Sequence, residues 1–160
     1  ICDEGSSQAR RVGGLTVKLY LAHPLVLRHE IRKIELAIEE ATGYMLLNPF
    51  YDANREKKLE DLDSGKITLE EYISSLSPFK IVEGDLDLID SSDGTVAYLD
   101  KTIQMLGTHC EMWYTLEQDM PVYVVSPNTL SHPWVQYIIQ HSSGRGFDDW
   151  LSFEAWLRNC

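Results

Sequence analysis

Cysteine is scarce in this 160-residue sequence: Cys2, Cys110 and Cys160 are all there is. They are scattered and odd in number, and no CxxC pair or Cys/His cluster accompanies them. That pattern supports neither a disulfide framework nor a zinc site, and it predicts a reduced, cytoplasmic setting. Long apolar runs are missing too. No stretch approaches the ~20 apolar residues that a membrane-spanning helix needs, and no signal-peptide core opens the sequence. Positive charge is also in short supply. Fourteen Lys and Arg face 25 Asp and Glu, a formal charge of −11. Nucleic-acid polymers are held by Lys and Arg that displace counterions, so this balance speaks against such a partner. Small neutral or singly charged ligands stay open.

The remainder is ordinary for one globular domain, with 44% hydrophobic and 24% charged residues and enough chain to bury a sizeable core. Residues 1–14 have no periodicity and read as a flexible leader before a single domain over 15–160. Thr16 to Ala22 is β-branched, aromatic and apolar, as a central strand requires. From Leu25 to Thr42, Leu27, Ile31, Ile34, Ala37, Ile38 and Ala41 recur at helical spacing, and Gly43 supplies the C-terminal stop. Tyr44 to Leu47 is a short second strand. Residues 51–78 are charged and poor in large apolar side chains, an excursion beyond the sheet with a helix from about Leu69 to Leu76. Within it, Asp61 to Glu70 resembles half of a calcium loop, but one acidic ligand is missing and the spacing is short. Thr68 and Glu71 form a capping box there instead.

Ser77-Pro78 opens the next helix, to about Ser91, whose inward stripe carries Ile81, Val82, Leu86 and Ile89. Asp85 falls on that stripe, where a carboxylate is costly unless it is paired or hydrogen-bonded. Thr95 to Leu99 is a third strand, Gly107 to Gln118 a helix, and Pro121 to Val125 a fourth strand. Ser126 to Pro133 is a loop, Trp134 to Gln140 fits either a fifth strand or a short helix, and Asp148 to Leu157 is a terminal helix. Strands alternating with helices predict an α/β fold, a mainly parallel sheet covered on both faces. Ligands then bind beyond the carboxyl ends of the strands.

Taken in order, Leu19-Tyr20-Leu21-Ala22, then Asp85-Leu86, then Ser92-Asp93, then Gly107-Thr108-His109-Cys110-Glu111 before Pro121-Val122 resemble the nucleoside 2-deoxyribosyltransferase-like family over residues 17 to 135. The resemblance implies a flavodoxin-like three-layer sandwich with a five-stranded mainly parallel sheet. It also implies cleavage of the N-glycosidic bond of a deoxynucleoside or deoxynucleotide, with a free nucleobase as product or acceptor, no cofactor or metal, and a homo-oligomer. By the same resemblance Glu111 is the nucleophile on the anomeric carbon, and Asp85 handles the base and its proton. Tyr20, Asp93, His23, Gly107 and Asn128 make up the substrate contacts, with Asn128, Ser131 and His132 the candidates for a residue lent between subunits. Met105 stands where transferases often carry a second acidic residue. Ala22-His23-Pro24 replaces the Gly-Ser phosphate loop of the hydrolysing branch, leaving Arg28, Arg32 and His23 as the nearby cations.

Two carboxyl groups are the common solution for glycosidic cleavage, one attacking and one moving a proton. Glu111 is then expected ionised, favoured by the first turn of its helix, and Asp85 raised by apolar surroundings. A nucleobase acceptor makes a transferase and a water acceptor a hydrolase; a non-catalytic nucleotide-sensing module is the reading of another class. Each residue also has a plain structural role. Glu111 stands in a capping-box relation to Thr108, Asp93 suits a turn, Tyr20 suits a strand core, Cys110 a small buried position, and Trp150, Phe153 and Trp156 an apolar stripe.

Overall fold

The computed structural model of the chain describes residues 16–51 and 55–160; the expected leader over residues 1–14 lies outside them. The elements run β1 (Lys18–Ala22), α1 (Arg28–Thr42), β2 (Met45–Leu47), α2 (Glu56–Asp63), α3 (Leu69–Ser74), α4 (Pro78–Asp90), β3 (Thr95–Tyr98), α5 (Leu106–Glu117), β4 (Val122–Val125), α6 (Pro133–His141), β5 (Arg145–Phe147) and α7 (Trp150–Arg158). The five strands form one sheet in the order β2-β1-β3-β4-β5, every neighbouring pair parallel. Leu19 to Ala22 and all of β4 are buried, the continuous apolar run that a sheet covered on both faces demands. On one face Tyr20, Ala22, Ala97, Val122 and Val124 pack with Ile89, Met112, Val135 and Ile138 of α4, α5 and α6. On the other, Leu19, Leu21, Val96 and Val125 pack with Ile31 and Ile38 of α1 and Phe153 and Leu157 of α7. This is the α/β three-layer sandwich that the sequence implies.

Helix boundaries follow local chemistry. Gly43 ends α1 in the left-handed region at φ 76°, its N–H donating to Glu39 O, a conformation that costs glycine nothing. Ser77 caps α4 and Pro78 fills its first turn, where proline's missing N–H is not needed. The capping box of Thr68 and Glu71 is present at α3.

Of the two readings of Trp134 to Gln140 the helix holds: the stretch lies in α6, with Val135, Ile138 and Ile139 inward. The fifth strand is Arg145-Gly146-Phe147, too short and too glycine-rich to announce itself by periodicity. Its approach is set by Gly144, where an added Cβ would lie 1.8 Å from Val122 O. The charged excursion holds two helices, each anchored by one buried residue, Leu59 of α2 and Tyr72 of α3. Finally, Cys160 is disulfide-bonded, which corrects the reading that the cysteines carry no bridge and removes the basis for inferring a reduced compartment. No helix among the described residues is long and apolar enough to cross a membrane.

The chain passes from β1 outward to β2 and then back across β1 to β3. The carboxyl ends of β1 and β3 therefore flank the topological switch point, where sheets of this kind open a crevice.

Candidate active site

Tyr20 sits in the middle of β1, fully buried, with its ring in the α4/α5 layer. Its hydroxyl donates to Glu111 Oε1 on α5 at 2.8 Å. Burial and the nearby carboxylates of Glu111 and Asp85 push the phenol far above its ordinary range, so it stays protonated and can only donate to an ionised Glu111. Glu111 keeps some residue surface, yet protein surrounds its carboxyl group. Desolvation is the main reason its pKa is raised to about 7; the charge of Asp85 adds to the rise, and the Tyr20 hydroxyl and the Arg55 guanidinium oppose it.

Asp85 lies between Ile81 and Ile89 on the inward side of α4. Arg55, at the start of α2, donates from Nη2 to Asp85 Oδ1 at 2.5 Å and to Ile81 O at 3.0 Å. Both side chains of this ion pair are nearly enclosed, 10% and 14% exposed for Arg55 and Asp85. Enclosure matters because a pair screened from water holds its partners far more firmly than a surface pair does. Val82, expected on the inward stripe, is exposed.

Tyr20, Asp85 and Glu111 are thus brought together, from three separate elements. The electrostatic roles differ from the sequence expectation. Helix α5 begins at Leu106, with Met105 at its N-cap and no acidic residue in its first turn. Glu111 consequently lies one turn deeper, Thr108 is buried rather than capping, and the helix end does not stabilise the Glu111 charge. Glu111 is the carboxyl with raised proton affinity, while Asp85 faces a guanidinium.

The other expected contacts are placed elsewhere. Asp93 is at the opposite, amino-terminal edge of the sheet, where its Oδ2 accepts from Lys18 N at 2.8 Å; it joins β1 to the turn before β3 and does not reach the carboxylate pair. His23 follows β1 but is buried, with Nε2 3.1 Å from Asn48 Oδ1 and Nδ1 3.2 Å from Pro24 O. Burial lowers its pKa, so it is neutral and is not a phosphate-binding cation. Asn128 ties two loops: its Oδ1 accepts from Lys101 N and its Nδ2 donates to Asp100 Oδ1, both at 3.0 Å. Gly107 occupies the first turn of α5 with open space beside its Cα. Arg28 is paired with Asp63, and Arg32 with the buried Glu35.

Of the residues with plain readings, Cys110 is exposed. Trp150, Phe153 and Trp156 turn inward, packing with Tyr123 and Phe147. Trp113 of α5 stays exposed beside Trp134 and Tyr137 of α6. Among the described residues no group of three His, Cys, Asp or Glu could hold a metal ion.

Arg55 is the site residue that the sequence did not reveal. It sits in a charged stretch with no motif, and only the fold carries it to α4. The single available signal was indirect: an aspartate on an apolar stripe needs a cation from somewhere.

No family model matches the chain, and no curated protein matches it significantly. Solved structures do. A conserved protein from Enterococcus faecalis V583 superposes with a TM-score of 0.61 at 18% identity, covering 90% of this chain and 98% of its own. A 2-deoxyribosyltransferase from Bacillus psychrosaccharolyticus gives 0.56 at 22% identity, covering 88% and 96%. A CMP N-glycosidase, BcmB, from Clostridium botulinum gives 0.56 at 12% identity, also covering 88% and 96%. The chain therefore has the flavodoxin-like α/β fold that this 2-deoxyribosyltransferase and this CMP N-glycosidase share.

Proposed function

We propose that the chain is an enzyme that cleaves the N-glycosidic bond of a 2′-deoxyribonucleoside and transfers the deoxyribose to another nucleobase. The observation that carries this reading is a carboxyl group, Glu111, held by the Tyr20 hydroxyl beside a second carboxyl group, Asp85. The ionised Glu111 attacks the anomeric carbon as the bond to the base nitrogen breaks, and the bonding electrons leave with the base. A proton reaches that nitrogen from Asp85. The glycosyl–Glu111 ester is then attacked by the acceptor, whose proton returns to Asp85. Tyr20 keeps its proton throughout and donates to whichever Glu111 oxygen is not bonded to the sugar.

The resting arrangement stands one proton away from this form. Glu111 titrates near neutrality, and Asp85 is ion-paired with Arg55. Passing the Glu111 proton to Asp85 creates nucleophile and acid together, and Arg55 opposes that transfer.

The likeness of fold to a CMP N-glycosidase supports a second reading, in which water is the acceptor and the substrate a deoxynucleoside 5′-monophosphate. Purified protein incubated with a deoxynucleoside, with and without a second free base, separates the two. Base exchange is expected; sugar release without added base favours the hydrolase. Glu111→Ala should abolish either reaction while the protein still folds, and unchanged turnover in that variant would refute the mechanism.

A further inference from the structure

A cleft of about 660 Å³ opens between α2, the end of α3 and the amino-terminal half of α4. Arg55, Lys58 and Lys80 line it, with Ser75 and Ser77 between them. It is not lined by Asp85 or Glu111. It touches their site through one residue, Arg55, which lines the cleft and also pairs with Asp85.

The charge of this cleft runs against that of the molecule. Carboxylates outnumber cations 25 to 14 along the chain, yet among the described residues neither Lys58 nor Lys80 has a carboxylate partner. Lys58 Nζ donates to the backbone oxygen of Ser75 at 3.1 Å. Ser77 Oγ accepts from Lys80 N at 3.4 Å, which leaves the hydroxyl hydrogen for another acceptor. The amino end of the 13-residue α4 adds its positive dipole end to the same space. Glu83 and Asp87 lie one and two turns further along α4; they repel anions and confine favourable binding to the Ser77–Lys80 end. Three cations, a hydroxyl and a helix amino end facing one cavity suit a compact, multiply charged oxyanion.

We propose that this cleft binds a phosphate-type anion, and that the bound anion competes with Asp85 for Arg55. Arginine's planar fork can serve a phosphate and a carboxylate in turn, and each new bond to phosphate weakens its hold on Asp85. An Asp85 released in this way accepts a proton more readily, which is the state the glycosidic reaction needs. That last consequence rests on the proposed function; the anion site and the competition do not. The anion has two possible sources, the 5′-phosphate of the substrate itself or a free phosphate acting beside an unphosphorylated substrate.

Isothermal titration of the full chain with sodium phosphate, and separately with a deoxynucleoside 5′-monophosphate, tests the site against chloride buffer of equal ionic strength. Saturable one-to-one binding is expected, weakened roughly tenfold or more in Lys58→Gln/Lys80→Gln, a change of about 1.4 kcal/mol. The double variant should melt like the wild type in chloride, so a loss of binding is not a loss of fold. Binding of the nucleotide alone assigns the anion to the substrate, and binding of inorganic phosphate assigns a free effector. No binding of either, or equal binding by the double variant, overturns the site. The Arg55 Nε–H resonance, identified by its absence in Arg55→Lys, should shift as the anion binds; an unmoved resonance at saturation overturns the competition. Because these readouts need no turnover, an inactive enzyme would refute the glycosidic reading without touching them.

Discussion

Glu111 carries the cost of its own burial. A carboxyl whose pKa is 4.5 unfolded and about 7 folded binds its proton more tightly in the native state. Its contribution is therefore fully present below pH ~4.5 and is lost as the pH rises through about 7. Glu111→Gln should abolish this loss, making the variant more stable than wild type at pH 8 by roughly 1–3 kcal/mol and inactive at every pH. Denaturant titrations at pH 5 and pH 8 check the sign. In the wild type the reactive form keeps one proton on the Glu111–Asp85 pair, so kcat/KM should decline as the pH rises through about 7 and that proton is lost. Tyr20→Phe removes a donor that favours the ionised form, so that decline should move to higher pH and stability should fall by ~1 kcal/mol. A pH–rate profile unmoved by that substitution would separate the phenol from the carboxyl. At this scale Tyr20, Asp85 and Glu111 could be read from the sequence, but the proton's location could not. It depends on Arg55 and on which turn of α5 holds Glu111, both set by tertiary contacts.

Helix α2 is fastened to the rest of the molecule by charge more than by apolar area. Leu59 is its one buried residue, while Arg28–Asp63 ties its end to α1 and Arg55–Asp85 ties its start to α4. Removing one partner of an enclosed pair strands the other. Arg55→Ala should therefore cost ~3 kcal/mol, and Arg55→Ala/Asp85→Ala less than the two single changes added together. A double-mutant cycle in denaturant measures this coupling, and strict additivity would deny it. α3 is simpler: Thr68→Ala should cost ~1 kcal/mol through its cap. The contrast explains what was legible. The α3 cap is local chemistry written in four consecutive residues, whereas α2 shows neither a cap nor an apolar stripe and could be seen only once its distant partners were in place. β5 was hidden for a related reason: three residues with a central glycine, held by β4 on one side alone.

At the scale of the whole molecule, the parallel sheet was legible in outline because buried parallel strands must be continuously apolar, and β1, β3 and β4 are. The net charge of −11 is a whole-molecule property as well. Self-repulsion favours expansion, so the melting temperature should rise between about 10 mM and about 200 mM NaCl as the charges are screened. A melting temperature that falls over this range would place most of the electrostatic energy in favourable pairs such as Arg55–Asp85.

The Tyr20–Glu111 bond joins residues 91 positions apart, and Arg55 and Asp85 enter the same spot from between them. On the proposed function, catalytic competence is a late property of folding, one that no fragment of the polypeptide can hold by itself. A truncated or half-assembled chain would retain helices and strands visible to spectroscopy while lacking the meeting of phenol, guanidinium and two acids. Recovery of turnover during refolding should accordingly lag behind recovery of secondary structure.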